Sequence, residues 1–447
     1  MRPTLPLVLF AIAIAPAPAR AADLPIDVVD YVLPNGLRVV LSPDHRAPTV
    51  GLAITFDVGR RDEPAGKRGI AHLVEHVMFE GSKNLGPGEL MAMVHHAGGD
   101  ADGVTFNDRT VLTDQIPSHW LERLLWAEAD RMRAPDWADA RLDGVRRRVR
   151  RETLEQTGRP FAPAAERLDA LLVPGYHAAS DTDTITLDDL RAFHGEHYTP
   201  AHAVLAIAGD FDEKEARAWI EKYFGAIAGA PSTTPAAAAA APVTPAGERK
   251  ETLRDPLAPS PMLLVGWRVP ETRGVDGHAL ELLAAALGGG ESSRLDASLV
   301  EKHLATSAQA GLDVDFLRGA GVLVISLAAA PGHELDELGK RADEELARVR
   351  DKGLTPDELK RAKAIVSAGF AASLDGNEGR AQRLAQFALI EGDPRKLRGE
   401  LDRYAAVTAA DVSRVAKNVL VDAGRVVVSV LPAEGPPAAP APAKGAK

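Results

Sequence analysis

The sequence contains no cysteine in its 447 residues. This absence excludes disulfide bonds and thiolate metal ligands from any account of the protein. A metal site in this chain would have to be built from histidine and carboxylate side chains. That donor set suits zinc with one coordination position left open.

The sequence also lacks an excess of positive charge. Lysine and arginine number 52 against 63 aspartate and glutamate residues, which gives a formal net charge of -11. Nucleic acids bind surfaces with a net positive charge, so we expect no nucleic-acid partner. The arginine-rich run at 146–151 falls within a helical pattern among acidic neighbours, which is typical of a solvated helix face.

Apolar runs long enough to cross a membrane are missing. The run from Leu5 to Ala15 is too short for a bilayer. Arg2 precedes it, and Ala19-Arg20-Ala21 follows as a cleavage site with small residues on both sides. Residues 1–21 are therefore predicted to be a secretory signal peptide, with a retained membrane anchor as the alternative. We expect an exported mature protein with no integral membrane segment.

The length of the chain predicts more than one domain, because a single core rarely serves so many residues. A Pro/Ala-rich segment at 229–248 cannot pack a core and is predicted to be a linker. It separates an N-terminal domain at 22–228 from a C-terminal domain at 249–434. Residues 435–447 are predicted to be a disordered tail.

The two predicted domains end in the same way. Thr186 and Thr408 each begin a capping-box sequence with an aspartate three residues later, which predicts the start of a helix. A strand pattern follows 18 residues after each threonine, at Val204 and Val426. The spacing predicts a duplicated α+β domain.

Local patterns in the first block place the other elements. Alternating apolar residues predict a strand at 49–58, and residues 100–116 are predicted to form one further strand. Helices are expected from about Gly69 and from about Ala138 to Gln156.

One five-residue stretch carries chemistry. His72-Leu73-Val74-Glu75-His76 has the spacing H-x-x-E-H, the inverted form of a zinc-peptidase motif. On a helix, His72 and His76 lie on one face and can bind one metal ion. Glu75 stands at the edge of that face, where its carboxylate could reach a metal-bound water without being a ligand. Catalytic zinc usually takes three protein ligands, so a third is needed from elsewhere.

A chance match is the alternative explanation of this motif, since bare motifs carry false positives and a histidine pair on a helix is usually polar surface. The neighbouring residues argue against it. Ile70 and Ala71 precede the motif, and residues 77–79 that follow it are apolar, so the helix is predicted to be buried. Two histidines and a glutamate buried without partners would cost several kcal/mol, at roughly 2–7 kcal/mol per unpaired polar group. A bound metal removes that cost.

Several longer stretches resemble one known family. HLVEHVMFEGSKN at 72–84, GGDADGVTFNDRT at 98–110, RRVRRETLEQ at 147–156 and GGGESSRL at 288–295 are similar to sequences of the pitrilysin/insulinase-type zinc peptidases. Within that family, the sequence resembles half-length members such as mitochondrial processing peptidase β and its bacterial secreted relatives. The resemblance implies two homologous α+β domains, each a mixed sheet flanked by helices, that close over a peptide.

The resemblance also implies roles for particular residues. His72 and His76 would bind one Zn²⁺ per chain, and Glu75 would activate the water. The third ligand of the family follows the second histidine by 76 to 77 residues, which points to Glu152. Glu155, one helical turn later, is the alternative ligand or a carboxylate that orients an imidazole, or otherwise an exposed helix acid.

This chain departs from the family pattern at several positions. Asp102-Gly103 stands where the family usually has Asn-Ala, in a segment that resembles the substrate-pairing strand. Val145 replaces a common helper carboxylate, and His177-Ala178-Ala179 reduces a His-Pro-Tyr segment. Arg380 with Phe387 is the nearest candidate for an arginine–tyrosine pair that holds the substrate carbonyl, although Arg380 could equally be a helix-surface cation.

The sequence therefore predicts a zinc-dependent endopeptidase that hydrolyses extended or unfolded peptides. Two rival hypotheses stay open: a non-catalytic or partner-dependent subunit of a peptidase-like assembly, and a closed structural zinc site. A half-length chain of this type is expected to pair with itself or with a related subunit. The similarity to bacterial secreted relatives implies a periplasmic location.

Overall fold

A computed structural model of the chain describes residues 26–173, 181–229, 247–269, 274–313 and 321–433. The predicted signal peptide, most of the predicted linker and the predicted C-terminal tail lie outside these ranges. So does the segment His177-Ala178-Ala179. No helix in the described ranges is both long enough and apolar enough to cross a membrane.

The first half of the chain builds a six-stranded sheet in the order β1-β2-β6-β3-β5-β4. The β2–β6 pair is parallel and the other neighbours are antiparallel. Its strands are β1 (Val29–Val32), β2 (Arg38–Pro43), β3 (Thr49–Phe56), β4 (Asp100–Thr105), β5 (Thr110–Pro117) and β6 (Ala203–Gly209). The single strand predicted for 100–116 is therefore wrong. The polar residues Asn107 and Asp108 turn the chain there, and β4 and β5 form a hairpin.

The second half builds a five-stranded sheet in the order β7-β11-β8-β10-β9. Again one pair is parallel, β7–β11, and the other neighbours are antiparallel. The strands are β7 (Arg249–Asp255), β8 (Met262–Val269), β9 (Ala305–Leu312), β10 (Gly321–Ala329) and β11 (Arg425–Pro432). This order repeats the last five strands of the first sheet, so the predicted α+β duplication is confirmed.

Thirteen α-helices flank the two sheets within the described ranges. They are α1 (Ile70–Glu80), α2 (Glu89–His96), α3 (Leu121–Arg133), α4 (Asp139–Thr157), α5 (Ala162–Leu172), α6 (Leu187–His197), α7 (Glu213–Phe224), α8 (Gly274–Gly288), α9 (Leu335–Lys352), α10 (Pro356–Ala372), α11 (Asn377–Ile390), α12 (Glu400–Ala406) and α13 (Ala409–Val419).

The predicted capping boxes are confirmed at α6 and α13. The hydroxyl oxygens of Thr186 and Thr408 accept hydrogen bonds from the backbone N–H groups of Asp189 and Asp411. Each threonine thereby supplies an acceptor for one of the N–H groups that a helix start leaves unpaired.

One helix from each half of the chain packs on the sheet of the other half. Helix α11, from the second half, packs on the first sheet through Ala381, Leu384 and Ala385, among others. Helix α5, from the first half, packs on the second sheet through Ala164, Leu168 and Leu172, among others. Both sheets are therefore covered on both faces, and the central strands β3, β6, β8 and β11 are buried along most of their length.

Glycine makes the crossing of α11 over the first sheet possible. A Cβ atom at Gly51 on β3 would lie 2.1 Å from the backbone nitrogen of Glu378 on α11, so only glycine lets this helix approach the strand this closely. A Cβ atom at Gly266 on β8 would lie 2.7 Å from a methyl carbon of Leu172 on α5, and that side chain would have to shift.

Candidate metal centre

Helix α1 carries the H-x-x-E-H stretch and is buried along most of its length. It begins at Gly69, whose φ of 87° is readily adopted only by glycine. The carboxylate of Glu63 accepts hydrogen bonds from the N–H groups of Gly69 at 2.8 Å and Ala71 at 3.1 Å. Burial raises the pKa of Glu63 to about 7. This carboxylate fixes the start of the helix and so the direction in which the motif points.

Three side-chain atoms converge beside α1. Nε2 of His72 and Nε2 of His76 are 3.1 Å apart. Oε2 of Glu152 lies 3.0 Å from Nε2 of His76 and 3.5 Å from Nε2 of His72. Two ligand atoms on a tetrahedral zinc ion with bonds of 2.0–2.1 Å would be about 3.3 Å apart. The triangle of donor atoms therefore fits one zinc ion.

Helix α4 brings Glu152 to this position. Leu142, Val145 and Val149 form its buried face, and Glu152 continues that face at the next helical step. Val145, where a helper carboxylate was missing from the sequence, packs fully buried in the core. Arg148 on α4 pairs with the carboxylate of Glu80 on α1, which ties the two helices together.

The electrostatics of the site keep both imidazoles neutral. Burial, assisted by the neighbouring His76, lowers the pKa of His72 to about 4. Burial, assisted by the charge of Arg148, lowers the pKa of His76 to about 4. A neutral imidazole has a free lone pair, and that is the form in which histidine binds metals. The site is therefore already in its ligating protonation state at neutral pH.

Glu75 stands beside the triangle but is held by another residue. Its ligand-capable oxygen lies within 4.8 Å of the imidazole nitrogens of His72 and His76. The hydroxyl of Thr105 donates a 2.5 Å hydrogen bond to Oε2 of Glu75. Burial raises the pKa of Glu75 to about 7. Such a carboxyl group can exchange a proton near neutral pH.

Strand β4 forms one edge of the first sheet, next to α1. The N–H of Phe106 donates to the carbonyl of Arg109 at 2.8 Å, and inward-facing and outward-facing backbone groups alternate along an antiparallel strand. It follows that Asp102 directs its N–H and C=O towards β5, whereas Gly103 and Thr105 direct theirs to the open edge. The carboxylate of Asp102 accepts the outward N–H of Gly103 at 2.8 Å.

Two other residues singled out from the sequence lie away from the triangle. Glu155 points to solvent with 66% of its side chain exposed, and its nearest charged partner is Arg151 at 4.0 Å. It therefore neither ligates nor orients an imidazole in this structure. The exposed-acid alternative describes it correctly.

Arg380 is neither beside the motif nor on the surface. It lies on α11, and its guanidinium is buried and donates to the carboxylate of Asp44 at 2.5 Å. Phe387 is buried in the same helix–sheet contact. Helix α11 covers the face of the first sheet opposite α1, so Arg380 lies away from the triangle of donor atoms and forms an ion pair that joins the two halves.

Sequence reasoning missed Thr105 and Glu63. The sequence does contain a signal for Thr105 as a site residue. Its side chain lies on the same face of β4 as Gly103, two residues earlier, and Gly103 is itself a candidate for substrate binding. Glu63 could have been suspected as an acid just before a helix start. Within the described ranges, the one group of three or more metal-capable side chains detected is that of His72, Glu75 and His76, in the first half.

Comparisons with known proteins show which family this chain resembles. The family model for insulinase, peptidase family M16, matches residues 38–177, and the model for the peptidase M16 inactive domain matches residues 184–366. An uncharacterised zinc protease of Mycobacterium leprae is 28% identical over 404 residues, which cover 87% of this chain and 88% of that protein.

Solved structures share the fold. A protease from Helicobacter pylori matches with a TM-score of 0.82 at 24% identity, covering 91% of this chain and 100% of that chain. The first half of the periplasmic protease PqqL from Escherichia coli matches with a TM-score of 0.73 at 19% identity, covering 92% of this chain and 94% of that chain. Both M16 family models match this chain, in adjacent segments, and the chain shares its fold with a solved protease. The protein belongs to the insulinase-type peptidase family M16 as a half-length member.

Proposed function

We propose that this protein is a zinc-dependent endopeptidase that hydrolyses extended peptides. The observation that carries the proposal is the triangle of donor atoms from His72, His76 and Glu152, with a buried carboxyl group beside it. A structural zinc site would use a fourth protein ligand. Among the residues that the structure describes, the further metal-capable side chain found within 4.8 Å of both imidazoles is Glu75, whose Oε2 is engaged by Thr105.

His72, His76 and Glu152 would hold one zinc ion per chain. When bound, zinc polarises the scissile carbonyl and lowers the pKa of a bound water to near neutrality. The ligand set is neutral apart from one carboxylate, since burial keeps the pKa of both imidazoles low. The second half would act in substrate enclosure rather than in catalysis, in line with the family model that it matches.

Glu75 would move the proton. Thr105 occupies Oε2, which leaves Oε1 of Glu75 to accept a proton from the attacking water and pass it to the leaving amine. The pKa of about 7 that burial gives Glu75 suits both steps, because the group then takes and releases a proton at similar free energies.

The open edge of β4 would position the substrate. An extended peptide can add to a sheet edge by main-chain hydrogen bonds, here to the outward backbone groups of Gly103 and Thr105. Because the strand passes beside α1, a peptide paired in this way would run past the metal ligands. Asp102 holds the Gly103 N–H at present, so a substrate carbonyl would have to displace that carboxylate.

We further propose that the chain is exported and acts in the periplasm, with residues 1–21 as its signal peptide. The apolar N-terminal run supports export, and the similarity to a periplasmic protease of Escherichia coli supports the location. A homodimer or a heterodimer with a related subunit would complete a chamber around the peptide. We also propose the domain limits 22–228 and 249–434; the presence of two separate sheets supports a division into two domains.

The experiment that tests this function is hydrolysis of a mixed library of unstructured peptides by the purified mature protein. It is run with and without a chelator, with zinc content measured in the same samples. We expect about one zinc per chain and chelator-sensitive cleavage. Glu75→Gln should keep its zinc and lose roughly 10²- to 10⁴-fold in rate.

Two results would contradict the proposal. Cleavage by Glu75→Gln at the wild-type rate would remove Glu75 from its role. Stoichiometric zinc in the wild-type protein without any cleavage, alone or with a candidate partner added, would favour the non-catalytic subunit.

A further inference from the structure

The side chains of β4 that face α1 surround Glu75. Ala101, Gly103 and Thr105 alternate with outward-facing residues along the strand, so all three share one face. Thr105 reaches the carboxylate, with its hydroxyl 2.5 Å from Oε2 of Glu75, and both residues are at least 95% buried. The strand that presents its backbone to the open edge therefore also holds the proposed proton carrier with a side chain.

Gly103 lies on the same face of β4, next to Glu75. A Cβ atom there would lie 2.6 Å from Cε2 of Phe79 and 3.2 Å from Cγ of Glu75. Strand β4 and helix α1 are therefore in close contact at this point.

The backbone and the side chain of Thr105 thus face two different partners. Its N–H and C=O point to the open edge, where the proposed function places the substrate, and its hydroxyl points to Glu75. A peptide bound at this edge would immobilise the strand from one side, and the strand would immobilise the carboxylate from the other side.

We propose that Thr105 is a positioning residue that couples substrate pairing on β4 to the orientation of Glu75. The inference rests on the proposed peptidase function and deepens it. Thr105 fixes one oxygen of the carboxylate by a hydrogen bond that is short and shielded from water, so the other oxygen faces the reaction. Substrate pairing uses only backbone atoms of β4, so it does not depend on the hydroxyl.

The test compares Thr105→Val, which keeps the shape and removes the hydroxyl, with Thr105→Ser, which keeps the hydroxyl. We expect Thr105→Val to lower kcat by about 10- to 100-fold with KM changed less than about twofold, as for other residues that orient a catalytic group. Thr105→Ser should recover kcat to within a few-fold of the wild type. Zinc content should be unchanged in both variants.

A matched control is Thr113→Val. Thr113 lies on the neighbouring strand β5 and is also buried, but it pairs with Asp102, so its side chain lies on the opposite face of the sheet from Glu75. It should leave kcat unchanged. A second readout is independent of catalysis: crystal structures of the metal-free variants should show the Glu75 carboxylate displaced in Thr105→Val and in its original place in Thr105→Ser.

Thr105→Ala provides a second variant that lacks the hydroxyl. It should lower kcat as Thr105→Val does, and it serves in place of Thr105→Val if that variant does not fold.

The inference is overturned if Thr105→Val keeps the wild-type kcat, if Thr105→Ser is as impaired as Thr105→Val, or if Glu75 stays in place in the metal-free Thr105→Val variant. These failures are distinct from a failure of the proposed function. Loss of cleavage in Glu75→Gln together with full activity in Thr105→Val would refute the positioning role alone. Cleavage that survives in Glu75→Gln would refute the peptidase mechanism itself.

Discussion

A buried group of charges below α1 offers the sharpest test of how this half of the protein is stabilised. Asp114 on β5 and Glu128 and Arg131 on α3 are each at most 1% exposed. Arg131 donates from Nε to Glu128 at 2.7 Å, and its Nη2 lies 3.9 Å from Asp114. Burial raises the pKa of both carboxyl groups. Arg131 therefore compensates charge that water cannot reach.

Replacing Arg131 with methionine keeps an unbranched side chain of similar length and removes the charge. Removing one partner of a buried ion pair destabilises proteins by about 3–5 kcal/mol, because the remaining charge is left unpaired in a medium of low polarity. The lost guanidinium contact with the ring of Phe79 adds a further ~0.5–2 kcal/mol. We expect Arg131→Met to lower the free energy of unfolding by about 3.5–7 kcal/mol at pH 7.

The pH dependence has a definite sign. A glutamate whose folded-state pKa exceeds its unfolded value near 4.3 contributes stability below that value, and the contribution is lost as the pH rises through the folded-state pKa. Removal of Arg131 raises the folded-state pKa of Glu128 further. The destabilisation by Arg131→Met should therefore be smaller at pH 5 than at pH 8.

Guanidinium-induced unfolding followed by circular dichroism measures this effect, with the slope of the transition checked for constancy. Arg133→Met is the matched control, because Arg133 lies on the same helix but is exposed. It should change stability by less than about 1 kcal/mol. A double variant, Glu128→Gln with Arg131→Met, should recover part of the loss. Destabilisation below about 1 kcal/mol by Arg131→Met, or a loss independent of pH, would refute the reasoning.

Three further predictions follow from single contacts. Glu152→Gln should weaken zinc binding by at least about tenfold, as measured by competition with a chromogenic chelator. Glu155→Gln should bind zinc as the wild type does, because the side chain of Glu155 is exposed. Equal zinc affinities in the two variants would contradict the assignment of Glu152 as a ligand. Arg380→Gln should lower the unfolding free energy by about 1–3 kcal/mol and leave zinc content unchanged. Hydrogen bonds from Arg46 and Arg380 lower the pKa of Asp44, so this stabilisation is present at neutral pH and is lost on acidification below about pH 4. An equal loss of unfolding free energy in the variant at pH 7 and at pH 3 would contradict this reasoning. Asp102→Ala should lower KM for neutral peptides, because it frees an outward N–H on β4, and an unchanged or higher KM would show that the carboxylate does not compete with substrate.

The sequence by itself determined the chemistry of the motif and the architecture class. Two histidines four residues apart on a helix lie on one face whatever surrounds them, because the helical period is local. The two capping boxes, each followed by a strand at the same spacing, predicted the duplication because capping and strand alternation are also local properties. The ligand assignment of Glu152 came from family resemblance, and the structure brings its carboxylate to 3.0 Å from His76.

Only the tertiary structure decided the contacts between distant segments. The sequence around β4 does not predict that the Thr105 hydroxyl donates a hydrogen bond to Glu75, a residue 30 positions earlier in the chain. Glu155 and Arg380 have similar local patterns on amphipathic helices. The packing of α4 leaves the side chain of Glu155 exposed, whereas the packing of α11 buries that of Arg380. The close approach of α11 to the first sheet requires Gly51, and this requirement appears only when another segment crosses the strand. Side-chain burial depends on what the rest of the chain places opposite, and that is set by the global packing of two sheets rather than by neighbours in sequence.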